Sequence, residues 1–220
     1  LRNVRHGEMI MIDGTVGRVV INPSKATLDA ATKQQKAYRR QAERLHRMRD
    51  LPAITRDEVD IILQANVELP IEMTMVKTSG AAGVGLLRSE FMFMGRDDVP
   101  DEEEQYESFR DVVLAADGPV TIRTLDVGGE KPAEALFKGM DEKATSALGL
   151  RGIRLSLLQP DILETQFRAI LRAANHGPVR ILLPMVSTVS EVRQAKAILK
   201  KAVTKLKRRK ATVPTPIPPI

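Results

Sequence analysis

Two arginines hold the residues best suited to chemistry. Arg88 stands in GVGLLRSEFMFM and Arg123 in VTIRTLDVGGEK. Each closes a short apolar run that reads as a buried strand, Val84 to Leu87 in the first case and Val120 to Ile122 in the second. Each is followed within a few residues by an acid, Glu90 or Asp126. Proteins of the α/β class place substrate-binding groups at the C-terminal ends of parallel strands. Guanidinium suits that place, because its planar fork of donors matches a phosphate or a carboxylate. Two such groups on successive strand ends predict a small, doubly anionic substrate. The same spacing also fits rim arginines neutralised by their neighbours, with Glu90 and Asp126 as partners. The turn from Asp126 to Gly129 carries paired glycines, which let a backbone approach a ligand closely.

The elements that must position these residues follow from apolar patterning. Asp60 to Ala65 is the first candidate strand, ending near Asn66, and Val179 to Leu183 is the fourth. Between the strands lie helical segments. One is short, Glu72 to Gly80. A second opens on Asp97, Asp98, Asp101, Glu102, Glu103 and Glu104 and runs to about Ala115, with its acids complementing the helix dipole. A third begins at Pro160-Asp161 and shows Ile162, Leu163, Phe167, Ile170 and Leu171 on one face. The last begins with a capping box, Thr188 and Glu191, and keeps apolar residues in helical period from Val192 to Leu206. Alternation of this kind predicts βα crossovers and a parallel sheet. Four such units between residues 55 and 210 are half of an eight-stranded barrel. Half a barrel exposes two strand edges, which favours self-association.

Upstream the pattern differs. Residues 8 to 22 read as a hairpin with Asp13-Gly14 as a tight-turn signal, and residues 27 to 50 as a long, mostly polar helix. That helix has a thin stripe of Leu28, Ala31, Tyr38, Ala42 and Leu45, and Leu51-Pro52 ends it. The tail, TVPTPIPPI, has four prolines in its last seven residues, and a fifth strand is a candidate at Ile217 to Ile220.

Composition narrows the class. The 220 residues are 43% hydrophobic and 3% aromatic, and they include no Trp and no Cys. Disulfides and thiolate metal sites are therefore excluded. No apolar run approaches the ~18 residues of a membrane span, and no signal peptide is visible. The net charge of +6 belongs to one segment: residues 200 to 210 hold seven cations and no acid, and elsewhere 27 basic residues face 28 acidic ones. A basic run without interleaved aromatics reads as a solvated helix end rather than a nucleic-acid surface.

GVGLLRSEFMFMGRDDVPDEEEQ, TIRTLDVGGEK, LGLRGIRLSL and ILLPMVSTVSEV occur in that order. Together they resemble the phosphoenolpyruvate-binding region of enzyme I of the bacterial phosphotransferase system, the phosphoenolpyruvate–protein phosphotransferases. Pyruvate phosphate dikinase and phosphoenolpyruvate synthase share the GVGL-R-E-F pattern, while the DVGGEK turn is closer to enzyme I. The resemblance implies an α/β fold, the first half of a TIM-type (β/α)8 barrel. Residues 1–25 would end a phosphohistidine domain, 26–52 form a linker helix, and 53–220 form the truncated barrel. It implies that Arg88 and Arg123 bind the phosphate of phosphoenolpyruvate, that Arg151 is a catalytic arginine beside them, and that Asn66 faces the same pocket.

The implied activity passes a phosphoryl group from phosphoenolpyruvate, through a phosphohistidine, to an HPr-type carrier for sugar uptake. The enzyme would be cytoplasmic and homodimeric, with no membrane insertion and no nucleic-acid partner. The family's Gly-Gly-x-Thr-Ser-His stretch is absent here, and His6, His46 and His176 read as surface or capping residues. The resemblance places the Mg²⁺ ligands of the intact enzyme beyond residue 220, so this chain is expected to supply none, and the fragment alone is expected to be inactive. A dikinase- or synthase-like piece, or a non-catalytic anion-binding module, remain the alternatives.

Overall fold

A computed structural model describes residues 4–127, 136 and 149–220. The predicted Gly128-Gly129 turn lies outside the described residues. The chain divides into two compact units, Leu1–Pro52 and Ala53–Ile220.

The first unit is a hairpin and a helix. Strands β1 (Ile10–Asp13) and β2 (Arg18–Ile21) pair antiparallel, and the ladder closes at Asp13↔Arg18. The connection is thus a four-residue loop, Gly14 to Gly17, rather than a tight two-residue turn at Asp13-Gly14. Asp13 Oδ1 accepts the Thr15 N–H at 3.0 Å, and the positive φ of 66° falls on Gly17. The turn chemistry of Asp13 is local, and it does not set the register. Helix α1 (Lys25–Met48) starts at the Ser24 cap, whose side chain accepts from the Thr27 N–H. None of its residues is buried, as its thin apolar stripe implies.

The second unit is a mixed α/β layer around one parallel sheet. Its strands are β3 (Ala65–Val67), β4 (Val84–Arg88), β5 (Val120–Arg123) and β6 (Val179–Leu182), in that spatial order and all parallel. The first strand is a correction. Only Ala65 of the predicted Asp60–Ala65 segment is in it, and Asp60 instead forms an isolated antiparallel bridge with Ile54. Ile61, Ile62 and Leu63 are exposed, whereas Val67 is fully buried against the sheet. Apolar content alone pointed to the wrong segment, because the packing that selects the strand is at Val67.

The helices are α2 (Met73–Ser79), α3 (Glu102–Ala115), α4 (Ile153–Leu158), α5 (Pro160–Ala173) and α6 (Val189–Arg208). Single-turn 3₁₀ segments, Pro70–Glu72 and Ser89–Phe93, precede α2 and follow β4. Side-chain caps hold the starts of α3 and α6. Asp101 caps α3 by accepting from the Glu104 N–H, and Thr188 and Glu191 bond reciprocally at the start of α6. Gly80 ends α2 in the left-handed region, with φ 75°.

One face of the sheet is dry. Val67, Leu87, Val120, Ile122, Val179 and Ile181 pack there with Phe109 of α3, Phe167 and Ile170 of α5, and Ile198 and Leu206 of α6. Alternation along the strands sends Thr121, Arg123, Arg180 and Leu182 to the opposite face, where burial is partial at most. The sheet edges are β3 and β6. The tail lies along β6, where the Ile181 N–H donates to the Pro219 carbonyl at 2.8 Å.

The acids opening α3 do more than complement a dipole. Glu102 accepts from Arg168 of α5 at 2.6 Å, from Arg172 of α5 at 3.1 Å and from Arg209 just past α6 at 2.7 Å, so one carboxylate clamps three helices. Burial pushes its pKa up, but the hydrogen bonds from Arg209, Arg168 and Arg172 together outweigh that and hold it below the ordinary value of 4.5. A depressed carboxyl contributes stability that is fully present above its unfolded pKa and is lost as pH falls through the folded one. Glu102→Gln is expected to lower unfolding free energy at pH 7 by about 2 kcal/mol, less than a fully buried pair because Arg209 is half exposed. The deficit should shrink as pH falls below 4.5. Urea unfolding across that range checks it, and an equal deficit at pH 7 and pH 3 would contradict the clamp.

Candidate anion site at the carboxyl edge of the sheet

Arg88 is the last residue of β4 and Arg123 the last of β5, and the two are direct partners in the parallel ladder. Register partners on neighbouring parallel strands project to the same face. Backbone register therefore turns both arginines to one face of the sheet. Arg151 joins them from the segment before α4, through a shared acid. Asp126 Oδ2 lies 3.3 Å from Arg123 Nη1, and Asp126 Oδ1 lies 3.3 Å from Arg151 Nε.

Each arginine is also held by acid. Arg123 Nη2 donates to Oε1 of Glu90, a side chain only 1% exposed. Arg88 Nη1 donates to Glu68 Oε1 at 2.6 Å, and both side chains of that pair remain more than a third exposed. Of the two acids read as neighbouring partners, Asp126 pairs with its own strand-end arginine, Arg123, whereas Glu90 pairs with Arg123 rather than with Arg88, which takes Glu68 instead. That does not displace the ligand reading. The side chains of Arg123 and Arg151 are each 19% exposed. Arg123 Nε is buried with no hydrogen-bond partner among the described residues. Among the described residues the cluster pairs three guanidinium groups with three carboxylates, Glu68, Glu90 and Asp126.

Backbone contacts fix this geometry. Glu72 accepts the N–H groups of Glu68 at 2.6 Å and Leu69 at 3.0 Å, which anchors the chain at Glu68 and holds the Glu72 carboxyl below the usual carboxylate range. Gly152 follows Arg151 with φ 55°, and a Cβ there would come within 3.1 Å of Met185, so only glycine brings that arginine down beside the end of β6.

Asn66 is not brought into the cluster. It pairs with Leu86 in the ladder, two residues short of Arg88, and its side chain is exposed. Three residues escaped the sequence reading. Glu68 was hidden because the first strand was misplaced. Ser89 and Gln166 are buried polar residues, and Gln166 interrupts the apolar stripe of Leu163, Phe167 and Ile170, which is the signal that could have found it. Among the described residues no group of three His, Cys, Asp or Glu side chains could hold a metal ion. A separate concavity of about 450 Å³ between the hairpin and α1 is lined by Thr15, Thr32, Gln35 and Tyr38 and by no cation, so it is not an anion site.

Comparison with known proteins gives the family. The family described as "PEP-utilising enzyme, PEP-binding domain" matches residues 42–218. Phosphoenolpyruvate-protein phosphotransferase of Staphylococcus aureus (strain MSSA476) is 43% identical over 199 residues, 90% of this chain and 34% of that protein. The protein of the same name from Cupriavidus necator is 42% identical over 208 residues, and that from Priestia megaterium 38% over 209, each covering 94% of this chain and 36% of the relative. The chain thus spans about a third of the length of the curated relatives it matches.

Proposed function

The chain belongs to the PEP-utilising enzyme family through its PEP-binding domain, and from that membership we propose that it forms the phosphoenolpyruvate-binding part of a phosphoenolpyruvate–protein phosphotransferase. One observation carries the reading: Arg88 and Arg123 are ladder partners at the carboxyl edge of a parallel sheet, and Arg151 reaches the second of them through Asp126. Phosphoenolpyruvate presents a phosphate and a carboxylate on a three-carbon frame. Guanidinium forks bind both groups and hold the phosphorus in one orientation.

Phosphoryl transfer depends mainly on positioning and on fixed charge around the migrating group. In this reading Arg88 and Arg123 grip the phosphate, and Arg151 steadies charge as the bond from phosphorus to the enol oxygen breaks and a histidine nitrogen takes the phosphoryl group. That histidine, and the HPr-type carrier that accepts from it for sugar uptake, belong to other parts of the intact enzyme. The four-stranded sheet is then the first half of a (β/α)8 barrel, α1 the linker helix, and the hairpin the end of a phosphohistidine domain. The intact enzyme is a cytoplasmic homodimer. No helix among the described residues is long and apolar enough to cross a membrane. Mg²⁺ would neutralise phosphate charge in the intact enzyme. Its ligands in this reading belong to other parts of the intact enzyme.

Relatives named phosphoenolpyruvate-protein phosphotransferase favour this over a dikinase or synthase. The coding sequence on either side of the segment distinguishes the two, since a carrier-binding domain upstream fits the first and an ATP-grasp domain the second. Calorimetric titration with phosphoenolpyruvate, phosphate and pyruvate tests the binding itself: saturable uptake of phosphoenolpyruvate, tighter than phosphate and much tighter than pyruvate, is expected, and no uptake would refute the reading. Glu68→Gln is expected to tighten phosphoenolpyruvate binding by about fivefold, because it removes the carboxylate that competes for Arg88 and leaves the guanidinium in place. Weaker binding in that variant would show that Glu68 orients Arg88 instead.

A further inference from the structure

Gln166 lies at the centre of α5, fully buried, on the stripe that otherwise packs Leu163, Phe167 and Ile170 into the core. An amide is costly there unless its polar atoms find partners. They do, and the partners are the two strand ends that carry the arginines. Gln166 Oε1 accepts the Leu125 N–H at 2.8 Å, two residues past Arg123. Gln166 Nε2 donates to Ser89 Oγ at 3.0 Å, one residue past Arg88. Ser89 Oγ, 1% exposed, donates in turn to the Arg123 carbonyl at 2.7 Å.

The last ladder pair of β4 and β5 is Arg88↔Arg123. Beyond it the backbone ladder stops, with a 3₁₀ segment following β4 and an irregular stretch to Asp126 following β5. The Gln166–Ser89 relay continues the cross-strand bonding with side chains where the backbone ladder stops. Without it nothing in the ladder fixes the separation of the chains that follow each arginine.

We infer that Gln166 is a positioning residue for the anion site: through Ser89 and Leu125 it sets the spacing of Arg88 and Arg123, so that both forks reach one phosphate. The inference rests on the proposed phosphoenolpyruvate site. A bland alternative is that Gln166 only satisfies a buried N–H and so serves stability alone. The two differ in coupling. Positioning acts through the second arginine, whereas a general loss of stability acts on every background alike.

The test is a double-mutant cycle on the full chain, with phosphoenolpyruvate as titrant and thermal unfolding recorded for each protein. Gln166→Met keeps the volume and removes both bonds, and it should weaken binding about tenfold while unfolding stays cooperative. Arg123→Lys supplies a background that keeps the charge but loses the fork, and there Gln166→Met should have little further effect. Ser89→Ala, a smaller change to the core, should weaken binding in the same direction, and combining it with Gln166→Met should add little. It serves as the readout if Gln166→Met fails to fold. Unchanged affinity in Gln166→Met or, should that protein not fold, in Ser89→Ala overturns the inference. So does an equal loss in the wild-type and Arg123→Lys backgrounds. Failure of the wild-type chain to bind phosphoenolpyruvate at all is a separate result: it removes the site itself, and the positioning role with it.

Discussion

Arg123→Ala is expected to weaken phosphoenolpyruvate binding by about two orders of magnitude, the loss of close to 3 kcal/mol that follows truncation of one half of a charge-assisted, partly buried contact. Arg123 should cost the most of the three arginines. Its guanidinium meets Glu90 and Asp126 and shares Asp126 with Arg151, so removing it disturbs every other member of its end of the cluster. Arg88 is more exposed and, among the described residues, its ion pair is with Glu68, so its removal should cost less. Because alanine also takes a partner from the buried Glu90, Arg123→Lys separates charge from geometry. Lysine keeps the positive charge but cannot present two parallel donors, and it is expected to recover only a small part of the affinity. Titration calorimetry of the three proteins checks this. Affinity in Arg123→Ala within twofold of wild type would remove Arg123 from the site.

The second large effect concerns the layer that holds the strands. Phe167→Ala is expected to lower unfolding free energy by about 4 kcal/mol, because the ring is fully buried and its loss leaves a cavity in the core. That is a large fraction of the stability of an ordinary domain, 5–15 kcal/mol by general experience, roughly speaking. Phe167 stands one residue from Gln166 on α5, so the same substitution should also loosen the strand ends and weaken anion binding. Urea denaturation should show a lower midpoint with an unchanged slope. A loss under about 1 kcal/mol would mean that α5 does not pack on the sheet in solution.

How much of this could be read from the chain depends on which physical force sets each feature. Val84, Val120 and Val179 begin strands where the sequence places them, because short apolar runs between helical segments have few other uses in a parallel sheet. The first strand defeats the same rule. Ile61, Ile62 and Leu63 are as apolar as any strand here, yet Ile62 is 75% exposed, and the strand that forms is only Ala65–Val67. Register with Val84 and burial of Val67 select it, and neither is written in local composition. The six residues of α4 are too few to show helical period, so the segment carrying Arg151 toward the site was not legible as a helix.

The site divides in the same way. Arg88 and Arg123 were legible because strand ends place side chains predictably. Asp126 was legible as the partner of Arg123 by proximity in sequence, but Glu90 pairs with Arg123 across 33 residues and not with the nearby Arg88. Glu68 reaches Arg88 across 20 residues, and Gln166 reaches Ser89 across 77, through contacts that only the folded sheet creates. Asn66 shows the converse. The resemblance put it at the pocket, and the ladder puts it on the same face but two residues short of Arg88.

The most direct measurement follows the arginine side-chain Nε–H signals of the ¹⁵N-labelled chain while phosphoenolpyruvate is added. The resonances of Arg88, Arg123 and Arg151 should move together along one saturation curve, with those of Arg208 and Arg209 at the basic helix end unchanged. Movement confined to the basic helix end, or separate curves for Arg88 and Arg123, would contradict a single phosphoenolpyruvate site at the carboxyl edge of the sheet.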